Sequence, residues 1–310
     1  MGHFSTKKIV LTSFVVNTID VIINLVVAIM TGSAIIFAET VHGIVDSIGS
    51  FLLVVGYRRS NRPSDSIHPF GYKREMFFWA LLSSMVMFFL GSGLSIRRGF
   101  DQLYLDSELH YPLMAASVLV VSFITNGYSF YQSFKKISIY GVPITRSFAE
   151  SSQQLVKTSL LRDGLGTLSS LVGMLSIFLY WYTGIHIFDG LGAIVIGLLM
   201  AAFSIVLIRQ TQQLITGKSV SKEVREKIFY STKRIAEVHN VNRLAAVYTG
   251  GDDILVDLDV DLKENLTTNQ IEKVLDIIKE EIMKDVPQAK SVQIDLNSPT
   301  FQEEVKITKS

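Results

Sequence analysis

The sequence predicts an α-helical membrane protein with six transmembrane helices followed by a small α+β cytoplasmic domain. Two observations predict this class. First, 48% of the residues are hydrophobic and only 18% are charged, whereas an ordinary soluble domain is about 25% charged. Second, the hydropathy pattern changes near residue 212. We therefore divide the chain into a transmembrane domain, residues 1–212, and a cytoplasmic domain, residues 213–310.

Six apolar stretches before residue 212 are long enough to cross a hydrocarbon core about 30 Å thick. Lys157 and Arg162 interrupt the fifth of them. The predicted spans are Ile9–Met30, Ala34–Tyr57, Met76–Ile96, Pro112–Phe134, Leu155–Tyr182 and Phe188–Ile208.

The loop charges predict the orientation of these spans. Most Lys and Arg residues flanking the spans, such as Arg58 and Lys135, fall on one side, and the other side has only Arg97 and Arg98 as a cluster. Because basic residues are retained on the cytoplasmic side, both termini are expected there. We expect a multi-pass protein of the cell (inner) membrane, with an organellar membrane as the alternative.

The C-terminal part alternates between helical and extended patterns. The sequence ILVDLDVDL within Ile254–Leu262 has the period of two that is typical of a half-buried strand. The order α-β-β-α-β predicts a small open-faced sandwich. Its predicted elements are helix Ser221–Ala236, strands Val241–Tyr248 and Ile254–Leu262, helix Thr267–Met283 and strand Ser291–Leu296.

Polar residues inside two spans indicate a cation site. His42 and Asp46 are four residues apart in the second span, and Ser159 and Asp163 have the same spacing in the fifth. Residues at this spacing share one helix face, so an imidazole and two carboxylates could converge on a divalent cation. The alternatives are a histidine that hydrogen-bonds a neighbouring helix and an Arg162–Asp163 ion pair, which the roughly 100° between adjacent residues disfavours.

Two further groups of polar residues have open interpretations. Asn17 and Asp20 belong to a polar stripe on the first span, which either hydrogen-bonds other helices or lines the cation path. Asp65 and His68 lie in the loop after the second span at a spacing suited to metal ligands. A turn fixed by Pro69 explains this loop at least as well.

Several function classes are disfavoured by composition. The chain has no cysteine and a net charge of +1, with no basic block, so neither thiolate chemistry nor nucleic-acid binding is expected. No nucleophile–base pair or phosphate-binding loop is evident, and we therefore expect no enzyme and no cofactor apart from a transported metal.

Three motifs resemble those of the cation diffusion facilitator family. They are GSAIIFAETVHGIVDSIGS, HPFGYKRE and GSGLSIRRG, and the resemblance covers nearly the whole chain. It implies a metal–proton antiporter with six spans, a ferredoxin-like cytoplasmic domain and a homodimer in the lipid bilayer. The chain is then expected to export a divalent cation, zinc first and manganese, iron or cobalt otherwise, in exchange for protons. The alternative is a membrane-anchored dimeric metal sensor or scaffold that does not transport.

The resemblance also implies a ligand set. His42, Asp46 and Asp163 match the family's site, but Ser159 stands where a histidine is expected, as in the branch that contains the ninth human zinc transporter. Ser159 or water would complete the shell, and one imidazole among oxygens is more permissive toward manganese, iron or cobalt. The family's tail cluster uses histidines, whereas the matching positions here are Asn242, Asp257 and Asp295. We therefore expect the tail to dimerise without acting as a tight zinc sensor.

Overall fold

The computed structural model describes residues 6–104, 109–138, 154–251 and 253–296, with side chains omitted at 6–17, 136–138 and 154–159. These residues form two compact units, a helical unit and a second unit that contains the C-terminal domain from Gln213 onward together with the loop Pro63–Arg74.

Long helices make up the first unit. The bounds are α1 Thr6–Thr31, α2 Ala34–Ser60, α3 Glu75–Val86, α4 Gly93–Tyr104, α5 Pro112–Ser138, α6 Gln154–Thr183 and α7 Ile187–Ile215.

The apolar character of these helices confirms the predicted class. Within the described residues, five helical segments are long and apolar enough to cross a membrane, and Thr18–Thr31 of α1 is a shorter apolar segment. Large apolar side chains such as Ile29, Phe51 and Leu198 are exposed on the helices, as expected for surfaces that face lipid. The protein is therefore a multi-pass membrane protein.

The third span contains a π-helical segment that the sequence analysis did not predict. This segment, Met87–Ser92, separates α3 from α4 within one continuous apolar stretch. A π-turn inserts an additional residue into a helix and therefore rotates the side chains that follow it. Gly91 lies in this segment, where a Cβ atom would collide with the side chain of Met200 on α7.

The core of the bundle is built around α2, which packs against α1, α3, α4 and α6. Ala34, Ile35, Ile36 and Ala38 at its beginning are fully buried. The helices α5 and α6 form a second extensive contact. Burial of the first half of α2 explains why polar residues on this helix lie inside the protein.

The second unit confirms the αββαβ order. Its elements are α8 Lys222–Lys233, β1 Val238–Gly250, β2 Asp253–Leu262, α9 Thr268–Asp285 and β3 Ala289–Leu296. Strand β2 is central, antiparallel to β1 and parallel to β3.

One face of this sheet forms the core of the domain. Val256, Leu258 and Val260 of β2 are fully buried and belong to one apolar cluster with residues of both helices. The helices contact each other, so both cover the same face and leave the other open. The aspartates of β2 alternate with the buried residues and therefore lie on the open face.

Candidate functional site

The polar residues of α2 are positioned by a well-capped helix. The Ser33 hydroxyl accepts a hydrogen bond from the Ile36 amide at 3.2 Å and so begins the helix. Glu39 and His42 follow in the buried half of α2, with 3% and 7% of their surface exposed. Because Glu39, His42 and Asp46 are spaced by three and four residues, they lie along one helix face.

This face of α2 meets polar residues of α6 at two levels. The Ser170 hydroxyl donates to Glu39 Oε1 at 2.7 Å. Further along both helices, the guanidinium of Arg162 forms an ion pair with Asp46, with 3.3 Å between Nη1 and Oδ1. The predicted polar face of α2 therefore contacts α6 inside the bundle through Ser170 and Arg162.

Asp163 has a different partner from Asp46. Its Oδ2 accepts a hydrogen bond from the Ser133 hydroxyl on α5 at 2.7 Å, whereas the adjacent Arg162 reaches α2. Arg162 and Asp163 therefore have separate partners instead of forming the pair that the sequence analysis considered. The reason is that adjacent helical residues diverge by about 100°.

Arg162 is held by neutral groups as well as by Asp46. It donates through Nη1 to the Ser50 hydroxyl at 3.4 Å and through Nη2 to the Ser83 hydroxyl on α3. Gly49 provides the space, since a Cβ atom at this position would overlap the guanidinium. The sequence analysis did not place Arg162 in the site, although a charge inside a predicted span is a signal for such a role.

Some buried polar atoms near this contact lack a hydrogen-bond partner among the described residues. They include His42 Nδ1 and Glu39 Oε2. His42 also lies close enough to Asp46 and Arg162 to interact electrostatically with both. The imidazole therefore has a free coordinating atom next to a carboxylate.

Within the described side chains, however, no three His, Asp or Glu residues form a group that could hold a metal. The side chain of Ser159 lies outside the described residues, one helical turn before Asp163. The ligand set His42, Asp46, Asp163 and Ser159 therefore stays a prediction.

The polar stripe of α1 faces α5. Asn24 donates to Asp20 Oδ2 at 3.1 Å and to the Ser122 hydroxyl on α5 at 3.5 Å. The hydrogen bond to Ser122 is an interhelical contact of the kind that one of the two interpretations predicts. A role of Asp20 in the cation path stays a prediction, and the side chain of Asn17 lies outside the described residues.

Asp65 and His68 lie in a tight turn. Asp65 Oδ1 accepts from the His68 amide at 2.7 Å, and Oδ2 accepts from the Tyr72 hydroxyl at 2.6 Å. The Tyr72 hydrogen bond, followed by that of the His68 amide, holds the pKa of Asp65 below its usual value. Both carboxylate oxygens thus have turn-forming partners, which favours the turn interpretation, while the metal site stays a prediction.

The tail residues lie on the open face of the sheet. Asp257 forms an ion pair with Arg243 of β1, and Asp295 is exposed on β3, opposite Asp259 of β2. The Asn242 side chain accepts a hydrogen bond from Asn240 at 3.1 Å. Metal binding by Asp257 and Asp295 also stays a prediction.

A buried carboxylate that the sequence analysis missed supports the beginning of α2. Asp189, 1% exposed on α7, accepts from the Ser33 hydroxyl at 2.6 Å, the Ala34 amide at 2.7 Å and the Ile35 amide at 3.3 Å. An acidic group at a helix N-terminus satisfies its free amides and interacts favourably with the helix dipole. Asp189 therefore fixes the end of the helix that carries His42 and Asp46.

The apolar helices and the following αββαβ domain define a multi-pass integral membrane protein with a small α+β domain. Two family models specify it further: the cation efflux transmembrane domain matches residues 10–215, and the cation efflux protein cytoplasmic domain matches residues 220–298. The chain belongs to the cation efflux family, also called cation diffusion facilitators.

Curated relatives include plant, vertebrate and bacterial proteins. Metal tolerance protein C4 of Arabidopsis thaliana is 30% identical over 64% of this chain and 44% of its own length. The mitochondrial proton-coupled zinc antiporter SLC30A9 of Homo sapiens is 23% identical over 84% of this chain and 47% of its own length. This chain thus spans about half of these two relatives. Magnetosome protein MamM of Paramagnetospirillum magneticum is 22% identical over 93% of this chain and 90% of its own length.

Proposed function

We propose that this protein is a secondary active transporter that exports a divalent metal cation from the cytoplasm in exchange for protons. Zinc is the first expected substrate, and manganese, iron and cobalt are the other candidates. The observation that carries the proposal is the meeting of the polar faces of α2 and α6 inside the membrane bundle. Ionisable residues within a membrane domain are expensive to bury and generally serve transport. The relative named a proton-coupled zinc antiporter supports the same function.

The transport site consists of His42, Asp46 and Asp163, completed by Ser159 or water. Two carboxylates and one imidazole provide the charge and the donor atoms that a divalent cation needs. His42 Nδ1, which lacks a partner among the described residues, is available for such a bond. Assembly of the site requires Asp46 and Asp163 to leave Arg162 and Ser133, their partners in the present arrangement.

Proton exchange follows from the chemistry of these ligands. Imidazole and carboxylate bind a metal only when they are deprotonated, so protons and metal compete for the same atoms. Rearrangement of the helices around a fixed site then exposes it alternately to the two sides of the membrane. A proton gradient can thereby drive metal transport in the opposite direction.

The assembly and orientation follow from the domain order and the loop charges. We propose a homodimer formed through the domain that starts at Gln213, with both termini in the cytoplasm and the spans in the cell (inner) membrane or an organellar membrane. The distribution of Lys and Arg residues supports this orientation.

Flux into proteoliposomes tests the function. The purified full chain is reconstituted and offered zinc, manganese, iron and cobalt in turn, with and without a pH gradient. We expect uptake that depends on the gradient and collapses with a protonophore. Flux that ignores the gradient would refute proton exchange. Metal binding without any flux would instead identify the protein as a sensor or scaffold.

A further inference from the structure

We propose that Arg162 is a tethered cation that occupies the Asp46 carboxylate when no metal is bound and that an incoming metal has to displace. This inference rests on the proposed function, because it concerns the same carboxylate. It adds a residue outside the predicted ligand set and gives it an effect on metal affinity.

The first argument is the position of the charge. The Arg162 side chain is only 7% exposed and crosses from α6 to Asp46 on α2, with 3.3 Å between Nη1 and Oδ1. Within a membrane bundle, an unpaired carboxylate is strongly disfavoured and seeks a cation. Arg162 supplies this cation from within the protein, so the site is neutralised before any metal arrives.

The second argument is that the chain has a defined binding place for the guanidinium. Ser50 and Ser83 accept hydrogen bonds from its two terminal nitrogens, and a Cβ atom at position 49 would overlap it. Two hydroxyls, one carboxylate and the space left by a glycine match the planar fork of an arginine. This complementarity distinguishes the contact from an incidental ion pair.

The third argument is competition for one carboxylate. Arg162 contacts Oδ1 of Asp46 at 3.3 Å, and a metal on either oxygen of this carboxylate would lie a few ångströms from the guanidinium, where two cations repel each other at low dielectric. The guanidinium is also incompletely satisfied, since Nε has no hydrogen-bond partner among the described residues. The contact can therefore be exchanged for a divalent ion.

A displaced Arg162 has a short path to the membrane surface. The helix α6 begins at Gln154, so Arg162 lies about two turns from that end of the helix. A long arginine side chain can extend toward the interface while its stem stays in apolar surroundings. Arg162 can thus leave Asp46 and return to it when the metal departs.

Exchange of the Asp46 carboxylate between Arg162 and the metal is expected to affect metal affinity and transport rate in different ways. Competition by Arg162 weakens metal binding, but it also helps to release the metal, because the carboxylate is neutralised again at once. Removal of the positive charge is expected to lower both KM and kcat. A purely structural role of Arg162 would lower transport and stability without tightening metal binding.

The test is a zinc titration of the purified full chain at fixed pH, with a competing chelator dye as the probe, together with zinc flux. The variants are Arg162→Gln, Arg162→Lys and Ser83→Ala, together with Asp46→Asn alone and combined with Arg162→Gln, and Ser84→Ala is the matched control. Ser84 is a neighbouring buried serine that donates to the Ala80 carbonyl oxygen at 2.9 Å. We expect Arg162→Gln to bind zinc about tenfold more tightly, because a like charge is removed from the site.

The other variants are expected to change zinc affinity by smaller amounts. Arg162→Lys keeps the charge but loses the planar fork, and its zinc affinity is expected to lie between those of the wild type and Arg162→Gln. Ser83→Ala removes one hydrogen bond from the guanidinium and is expected to tighten zinc binding about two- to threefold. Ser84→Ala is expected to change nothing. Melting temperatures accompany each titration, so that Ser83→Ala remains informative if Arg162→Gln does not fold.

The outcomes also separate this inference from the proposed function. Zinc binding that needs Asp46 but is unchanged or weaker in both Arg162→Gln and Ser83→Ala would overturn the role of Arg162 and leave the transport site intact. A loss of stability in Arg162→Gln that Asp46→Asn reverses, without tighter zinc binding, would also overturn it. If no variant binds zinc in a manner that depends on Asp46, both proposals are wrong.

Discussion

Two arginine–aspartate pairs in this chain have the same chemistry and opposite surroundings. Arg162 and Asp46 meet between two membrane helices, with 7% and 30% of their side chains exposed. Arg243 and Asp257 meet on the open face of the tail sheet, with 62% and 29% of their side chains exposed, so the two aspartates are about equally exposed and the arginines differ. Water and salt screen the second pair, whose contribution to stability is expected at about 0.2–1 kcal/mol.

The comparison teaches that the burial of the arginine, and not that of the aspartate, distinguishes the two pairs. Inside the bundle, the guanidinium of Arg162 is almost fully buried and needs the carboxylate as its partner, so a change of partner can be coupled to a change of structure. On the tail sheet, the carboxylate can exchange its partner for water at little cost. We therefore place the transport chemistry at Asp46 and not at Asp257, although both contact an arginine.

The largest expected effect is on transport. Asp46→Asn and Asp163→Asn are each expected to abolish metal flux, because a divalent cation loses a carboxylate that the site needs. Asp257→Asn is the matched control and is expected to keep nearly the wild-type rate. The measurement is zinc uptake by proteoliposomes. Equal losses in Asp46→Asn and Asp257→Asn would break the comparison between the two pairs.

A smaller effect is expected from supplying the histidine that the family pattern contains. Ser159 lies one turn before Asp163 on α6, so its side chain is expected on the same helix face. Ser159→His should raise zinc affinity several-fold relative to manganese, because imidazole suits zinc better than a hydroxyl does. Competition between the two metals measures the change. An unchanged preference, with Asp163→Asn still inactive, would show that residue 159 does not face the metal.

Two adjacent serines sharpen the comparison within the bundle. Ser170 donates to Glu39, while the Ser169 hydroxyl is buried without a partner among the described residues. Ser170→Ala is expected to destabilise the protein by about 1–3 kcal/mol, because it leaves a buried carboxyl oxygen without its donor. Ser169→Ala should be nearly neutral. Melting curves of the detergent-solubilised full chain measure both, and equal losses would contradict the importance of the Glu39 contact.

The smallest effect is expected in the tail, as a dependence of its stability on pH. The Ser231 hydroxyl donates to Asp285 Oδ2 at 2.6 Å. This hydrogen bond, assisted by Arg234, holds the pKa of Asp285 below its usual value of 3.8. The unfolded tail then binds more protons than the folded tail, so the contribution of Asp285 is complete well above pH 3.8 and is lost as the pH falls through the lower, folded value.

Asp285→Asn tests this contribution in the isolated domain, residues 213–310, which has an apolar core of its own. Urea unfolding at pH 7 should show a slightly less stable variant. The difference should shrink as the pH is lowered below 3.8. A difference that stays constant with pH would mean that the charge of Asp285 is not responsible.

Periodic features of the chain could be predicted from the sequence, and features that depend on long-range contact could not. Hydropathy placed the beginnings of the helices within three residues, because the start of an apolar stretch is a local property. The third and sixth spans, however, continue to Tyr104 and Ile215, beyond their predicted ends at Ile96 and Ile208. The fifth span, predicted at Leu155–Tyr182, is observed at Gln154–Thr183. The first strand was predicted too short, since β1 extends from Val238 to Gly250 through register shifts that interrupt its alternation.

The candidate site shows the same division. The shared face of Glu39, His42 and Asp46 follows from their spacing, and the structure places it against α6. The pairing of Arg162 with Asp46 joins residues more than a hundred positions apart, so no spacing rule indicates it. The Asp189 cap and the π-helical segment of the third span were missed for related reasons, since neither has a local sequence pattern.

The contacts between Asp189 and the first turn of α2 also determine how far His42 and Asp46 are expected to move when α2 tilts. Because Asp189 holds the first turn of α2, we expect the helix to tilt about that end. At a rise of 1.5 Å per residue, His42 lies about 12 Å and Asp46 about 18 Å along the axis from Ala34. A tilt of about 10° would displace them by roughly 2 Å and 3 Å. The Asp46 carboxylate would therefore travel farther than the His42 imidazole, and a metal shared between α2 and α6 is expected to lose Asp46 first when α2 tilts.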